Sequence, residues 1–130
     1  MKHLVLAAAL FAVPMVAAGE PSEQQLAKTV AVGGLAALAP LCGLRDQDWS
    51  ADLRRSTIQS GTGTGAHDDA ALKAAPGSNL VIGALSYAET EATEDFAETP
   101  GSICSNAANS PILPWADEMV RRFRARAPAS

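Results

Sequence analysis

The two cysteines are the residues of this sequence whose type and spacing point most directly to chemistry. Cys42 and Cys104 are the only cysteines in 130 residues, and they lie 62 positions apart (104 minus 42). A redox-active pair is usually close in sequence, as in Cys-x-x-Cys. This pair therefore predicts one structural disulfide, with two free buried thiols as the alternative. By the chain-entropy argument, closing a loop of this length stabilises a fold by roughly 4 kcal/mol.

Five acidic residues lie in the second half of a long predicted helix. They are Glu89, Glu91, Glu94, Asp95 and Glu98. Spacings of three and four place Glu91, Glu94 and Glu98 on one side of that helix. A carboxylate metal site would also need a Glu-x-x-His pair, and no histidine follows these residues. Together with Tyr87, which falls off the apolar stripe, the three glutamates form the candidate interaction patch. The alternatives are a solvated face and a contact with the arginines of residues 121–126.

His67, Asp68 and Asp69 are three metal-capable side chains in a row. Adjacent residues do not easily turn toward one ion, so we expect Asp68 or Asp69 to cap the start of a helix instead. Ser86 has no histidine near it in sequence and lies in no Gly-x-Ser-x-Gly elbow. The sequence therefore predicts no catalytic residue, no metal and no cofactor. A small hydrolase or a metal-dependent enzyme is the least favoured hypothesis.

The glycine-rich segment Gly-Thr-Gly-Thr-Gly at residues 61–65 has the composition of a phosphate-binding loop. Such a loop follows a strand and, in its nucleotide-binding form, ends in Lys followed by Ser or Thr. Here a predicted helix precedes the segment, and Ala66 and His67 follow it. We therefore expect a connector between two helices.

The first 18 residues have the pattern of a secretory signal peptide. Lys2 and His3 supply a short positive start, residues 4–16 form an apolar run, and small residues precede Gly19. The apolar run spans about thirteen residues, too few for a membrane span of roughly twenty. We expect cleavage after Ala18, export to the periplasm or the extracellular space, and no stable membrane insertion afterwards. The alternative is an uncleaved anchor or a buried first helix.

Length and charge limit the partners of the exported chain. Cleavage leaves 112 residues (130 minus 18), which we expect to form one small domain over residues 19–130. The full chain carries 10 basic and 14 acidic residues, and loss of Lys2 takes the formal net charge from −4 to −5. Nucleic acid and anionic membrane surfaces require a basic face, so neither is an expected partner, and an unknown protein partner is left open. The oligomeric state is left open.

Apolar periodicity predicts an all-α fold, a bundle of four helices or of five if residues 68–75 form a short one. The four long helices are expected to begin near Ser22, at Asp46 or Asp48, at Ser78 and at Pro114. Residues 99–111 are rich in Ser, Asn and Pro, so they are expected to be a loop that carries Cys104. Four antiparallel helices are the simplest arrangement that buries four apolar stripes.

The same periodicity predicts which residues form the core. The stripe of the first helix is predicted to be Leu26, Val30, Gly33, Ala37 and Leu41. The core aromatics are predicted to be Trp49, Phe96, Trp115 and Phe123, surrounded by Leu26, Val30, Leu53, Leu85 and Met119.

Export, one crosslink and an all-helical pattern favour a non-enzymatic binding protein of the cell envelope. The layout resembles that of small exported helical proteins with one disulfide, which include acid-stress chaperones of the bacterial periplasm. The resemblance rests on size, helices and cysteine count, and it implies a second hypothesis. Fourteen carboxylates would be neutralised as the pH falls toward about 4. The resulting positive self-repulsion would loosen the core and expose apolar surface.

Overall fold

The computed structural model describes residues 22–126, and all the regular structure in that range is helical. Its six helices are α1 (Glu23–Leu41), α2 (Gln47–Thr62), α3 (Asp69–Ala74), α4 (Ser78–Glu98), α5 (Pro100–Ala108) and α6 (Ile112–Arg126). The predicted all-α class is confirmed, but the predicted count of four or five helices is too low. The predicted signal peptide, residues 1–18, lies outside the described residues.

The extra helix is α5, which occupies most of the segment predicted to be a loop. Pro100 stands in its first turn, where proline fits because the amide there has no helical partner. The prediction counted Pro100 among the residues that make this segment a loop, although proline also fits the start of a helix. Cys104 lies on α5 and forms the predicted disulfide with Cys42 at the end of α1, with the two Cα atoms 5.4 Å apart. The crosslink therefore joins two helix segments.

The start of α1 is the predicted capping box. The Ser22 hydroxyl accepts a hydrogen bond from the Gln25 amide, and the Gln25 side chain accepts one from the Ser22 amide. The buried face of this helix differs from the predicted stripe, since Val30 and Leu41 are exposed. The residues it buries are Thr29, Val32, Gly33, Leu35, Ala36 and Ala39. Because α1 is apolar on nearly every side, periodicity alone could not select its inner face.

Gly33 lies at a close approach between α1 and α4. A Cβ atom built on Gly33 would lie 2.9 Å from the carbonyl oxygen of Leu85 and 3.0 Å from the Cβ of Ala88. Only glycine allows two helix backbones to come this close without a shift. The glycine pair of α1, Gly33 and Gly34, thus provides a flat contact with α4.

Two contacts show that α2 and α4 are antiparallel. Arg54 in the middle of α2 pairs with Glu89, whereas Gly61 near the end of α2 faces Val81 near the start of α4. α2 begins at the N-cap Asp46, whose carboxylate accepts a hydrogen bond from the Trp49 amide at 2.8 Å. α4 packs mainly on α1 and also on α2, while α6 packs mainly on α2.

The core lies between these helices and includes Val32, Leu53, Leu72, Val81, Leu85 and Val120. Two of the predicted core aromatics, Trp49 and Phe123, are buried, and Phe96 is partly buried. Trp115 is exposed. The prediction for Trp115 was wrong because α6 buries the side on which Leu113, Ala116, Val120 and Phe123 lie.

Candidate functional site

The site predicted from the sequence lies on α4. The position of α4 is fixed by the contacts of its buried side, which faces the other helices. Val81, Leu85, Ala88 and Ala92 form its buried side. At its start the N-cap is Gly77, with φ of 84°, rather than the expected Ser78. The Ser78 hydroxyl instead donates a hydrogen bond to the Lys73 carbonyl at 2.6 Å. This bond ties the start of α4 to the end of α3.

Five exposed residues follow one another along one flank of α4, at spacings of seven, four, three and four. We call them the α4 stripe: Leu80, Tyr87, Glu91, Glu94 and Glu98. The Tyr87 side chain is 62% exposed and Leu80 is 56% exposed. The stripe extends about 27 Å, since 18 residues each rise 1.5 Å. Its first half presents apolar and aromatic surface, and its second half presents carboxylates.

The stripe brings together all four residues of the predicted patch. Among residues 22–126, neither Glu91, Glu94 nor Glu98 forms an ion pair. Glu89, from the same acidic run, lies around the helix and pairs with Arg54 of α2. Among the acidic residues of α4, Glu89 therefore stabilises the fold, whereas Glu91, Glu94 and Glu98 are exposed to solvent.

The arginines of α6 have other partners. Arg121 and Arg122 both bond Glu118, and these bonds, chiefly that of Arg121, lower the pKa of Glu118 to about 2. Arg124 donates to Asp52 of α2 at 2.7 Å. Since α4 and α6 do not pack side by side, the predicted alternative in which these arginines face the acidic residues of α4 is wrong.

The histidine segment does not assemble into one site. The His67 ring packs against Phe123 with 5.0 Å between ring centroids, and its Nδ1 lies 3.1 Å from the Gly65 carbonyl. The Asp68 carboxylate accepts a bond from the Ala71 amide and caps α3, as predicted. The Asp69 carboxylate pairs instead with Arg55, whose Nε lies 2.8 Å from Oδ1 of Asp69. Within the described residues, no three His, Cys, Asp or Glu side chains are grouped to hold a metal.

Leu80 is a member of the stripe that the sequence prediction missed. It stands seven residues before Tyr87, which places both on the same side of a helix. The sequence-based prediction placed Leu80 in neither the core nor the interaction patch. Leu80 is exposed because α1 and α2 pack against a different side of α4, and this arrangement cannot be inferred from the local sequence.

The glycine-rich segment only partly forms the expected connector: Gly61 and Thr62 are the last residues of α2, Gly63 with φ of 75° is its C-cap, and the connector begins there. No helix of the described part of the chain is long and apolar enough to cross a bilayer. Comparison with known proteins gives no match among protein-family models, curated proteins or solved structures.

Proposed function

We propose that this is an exported, non-enzymatic binding protein that contacts a protein partner through the α4 stripe. In this proposal the chain is cleaved after Ala18, and residues 19–130 act as one domain in the periplasm or outside the cell. The Cys42–Cys104 disulfide supports export, because stable disulfides are rare in the reducing cytosol. The apolar run of residues 4–16 supports the signal peptide.

The observation that carries the proposal is the exposure of Tyr87 beside Leu80 and the unpaired glutamates. Solvation alone explains exposed carboxylates, but it does not explain an exposed tyrosine and leucine on the same flank. Tyrosine is enriched at protein interfaces because its ring gives a large contact area while its hydroxyl stays hydrogen-bonded. The α4 stripe thus has an apolar anchor next to a charged segment.

The stripe also indicates the chemistry of the partner. A surface that complements it has an apolar pocket for Tyr87 and basic groups opposite Glu91, Glu94 and Glu98. Opposite charges at the rim of an interface mainly speed association and make it salt-dependent. We therefore expect complex formation to weaken as the salt concentration rises.

Charge reversal on the stripe tests the proposal. The double variant Glu91→Lys and Glu98→Lys should reduce recovery of the partner from envelope extracts roughly fivefold or more, because repulsion replaces attraction at two positions. Glu23→Lys with Asp48→Lys is the matched control, since it changes the net charge equally at two exposed positions on α1 and α2 rather than on α4. Equal recovery with both variants would reject this surface.

Export has a separate test. Mass spectrometry of the protein from its native host should find an N-terminus at Gly19 and no free thiol before reduction. An intact Met1 with two alkylatable cysteines would reject export.

An acid-responsive chaperone is the second candidate, and one observation favours it. Carboxylates join separate segments of the bundle through arginine pairs: Asp117 to Arg45, Asp69 to Arg55, Asp52 to Arg124 and Glu89 to Arg54. Protonation of these groups would loosen the bundle and expose its core. The test is protection of an aggregating client at about pH 3; a protein that binds no hydrophobic dye and gives no protection rejects this candidate.

A further inference from the structure

A groove runs along the opposite side of α4 from the stripe. Ile82, Glu89 and Thr93 face it, and Ile82 and Glu89 each lie two residues, or about 200°, from Leu80 and Tyr87 around the helix. Its other walls come from α1, α2 and α3, and its volume is about 840 Å³. Sites for small molecules usually measure about 300–1,000 Å³. The groove therefore has the size of a ligand site.

Much of the groove wall is apolar. Its apolar residues include Ala37, Pro40, Leu41, Ile58, Leu72 and Ile82. Leu41, at the end of α1, is 45% exposed and is one of the residues that line the groove. An apolar molecule in the groove would cover a leucine that the fold itself leaves in water.

Arg54 provides the groove with a partly buried cation that has spare hydrogen-bond donors. Its side chain is 33% exposed, and burial lowers the pKa of its guanidinium. Nη1 donates to Glu89, but Nε and Nη2 have no partner among the described residues. The neighbouring Arg55 differs, because its Nε, Nη1 and Nη2 are all committed to Asp52 and Asp69. Lys73 also lines the groove and forms no ion pair within residues 22–126.

We propose that the groove binds a small amphipathic organic anion, free and monomeric in solution. Its apolar body lies against the wall of α1 and α2, and its acidic head accepts hydrogen bonds from Nε and Nη2 of Arg54. Those two nitrogens form the edge of a guanidinium that receives a carboxylate through paired bonds. Glu89 holds the guanidinium by its other edge and competes electrostatically with the head of the ligand.

Octanoate is the probe, used below its micelle concentration with the purified, disulfide-bonded protein. Calorimetry should show saturable binding of one octanoate per chain, with octanol weaker and octyltrimethylammonium not bound. Equal binding of the octyl anion and the octyl cation would overturn the proposal. So would an interaction that occurs only with vesicles containing anionic phospholipid, because the ligand would then be a membrane surface.

Two substitutions with opposite expected effects make the test specific. Arg54→Gln should weaken octanoate binding roughly tenfold or more, since it removes charge-assisted bonds. Glu89→Gln should strengthen it several-fold, because it removes the competing carboxylate. Arg45→Gln is the control, since it also removes an arginine from an ion pair between distant segments, and neither Arg45 nor its partner Asp117 lines the groove.

The double variant Arg54→Gln with Glu89→Gln controls for misfolding. Each single substitution leaves one charge of the Arg54–Glu89 pair without its partner, whereas the double variant removes both charges. It should keep the helical circular-dichroism spectrum and bind octanoate as weakly as Arg54→Gln does. Unchanged octanoate affinity in Arg54→Gln or in the folded double variant would overturn the proposal.

Discussion

Arg45 and Asp117, 72 residues apart in sequence, are joined by two hydrogen bonds between guanidinium and carboxylate. Nε donates to Oδ1 at 2.9 Å and Nη2 donates to Oδ2 at 2.6 Å. The Trp49 indole N–H also donates to Oδ1 at 2.8 Å. The Arg45 bonds, aided by that of Trp49, lower the pKa of Asp117. This cluster fixes α6 to α2 and to the turn before α2, and with them one end of the bundle.

Removing the acceptor of this cluster should destabilise the fold. Asp117→Asn keeps the shape of the side chain but loses its charge, and we expect unfolding to cost about 1 kcal/mol less. The value is modest because both partners remain partly exposed to water. Urea unfolding followed by circular dichroism measures the change. Glu91→Gln, at an exposed position without an ion pair, is the control and should unfold like the wild type.

The pH dependence of stability follows from the direction of the pKa shifts. Bonds from arginine lower the pKa of Asp117 and of Asp69 below the ordinary value of 3.8. Such groups stabilise the fold fully above their unfolded pKa, and that contribution is lost as the pH falls through the lower folded pKa. We therefore expect the free energy of unfolding to decline as the pH falls below about 4. Asp117→Asn should show a shallower decline, and an identical slope in both proteins would contradict the role of this pair.

Gly33 and Gly83 provide opposite tests of helix packing. Gly33→Ala places a Cβ atom 2.9 Å from the backbone oxygen of Leu85, so it should destabilise the fold by about 1–3 kcal/mol. A Cβ atom on Gly83 meets nothing within 4 Å, and Gly83→Ala should stabilise α4 by about 0.5–1 kcal/mol. Thermal unfolding of the two variants measures both changes. Equal effects of the two substitutions would show that α1 and α4 do not meet at Gly33.

The disulfide should matter most for α5. Replacing Cys42 and Cys104 by alanine removes the covalent tie between α5 and the end of α1, with an expected loss of about 2–4 kcal/mol. Hydrogen exchange should show the amides of α5 losing protection before those of α2, because within residues 22–126 the other contacts of α5 are mainly with α4 and α1. Uniform loss of protection across all helices would contradict this local role.

Caps and spacing predicted most helix starts, because these signals are local. The capping box of Ser22 and the Asp46 cap of α2 need only residues within one turn. The face that α1 buries could not be predicted from its sequence, since apolar residues surround this helix. Its inner face is set by the close contact of Gly33 with α4. The pairing of Arg45 with Asp117 likewise depends on the path of α6. Sequence reasoning therefore located the acidic residues of the stripe but not their distance from the arginines.

Photo-crosslinking from position 87 in living cells tests the central claim most directly. A benzophenone amino acid in place of Tyr87 should form a covalent adduct with a protein partner, and Glu91→Lys with Glu98→Lys should reduce its yield roughly fivefold or more. The same amino acid at Ala125, exposed on α6, should form no such adduct. Absence of any adduct from position 87, or an adduct equally strong from position 125, would contradict a binding role for the α4 stripe.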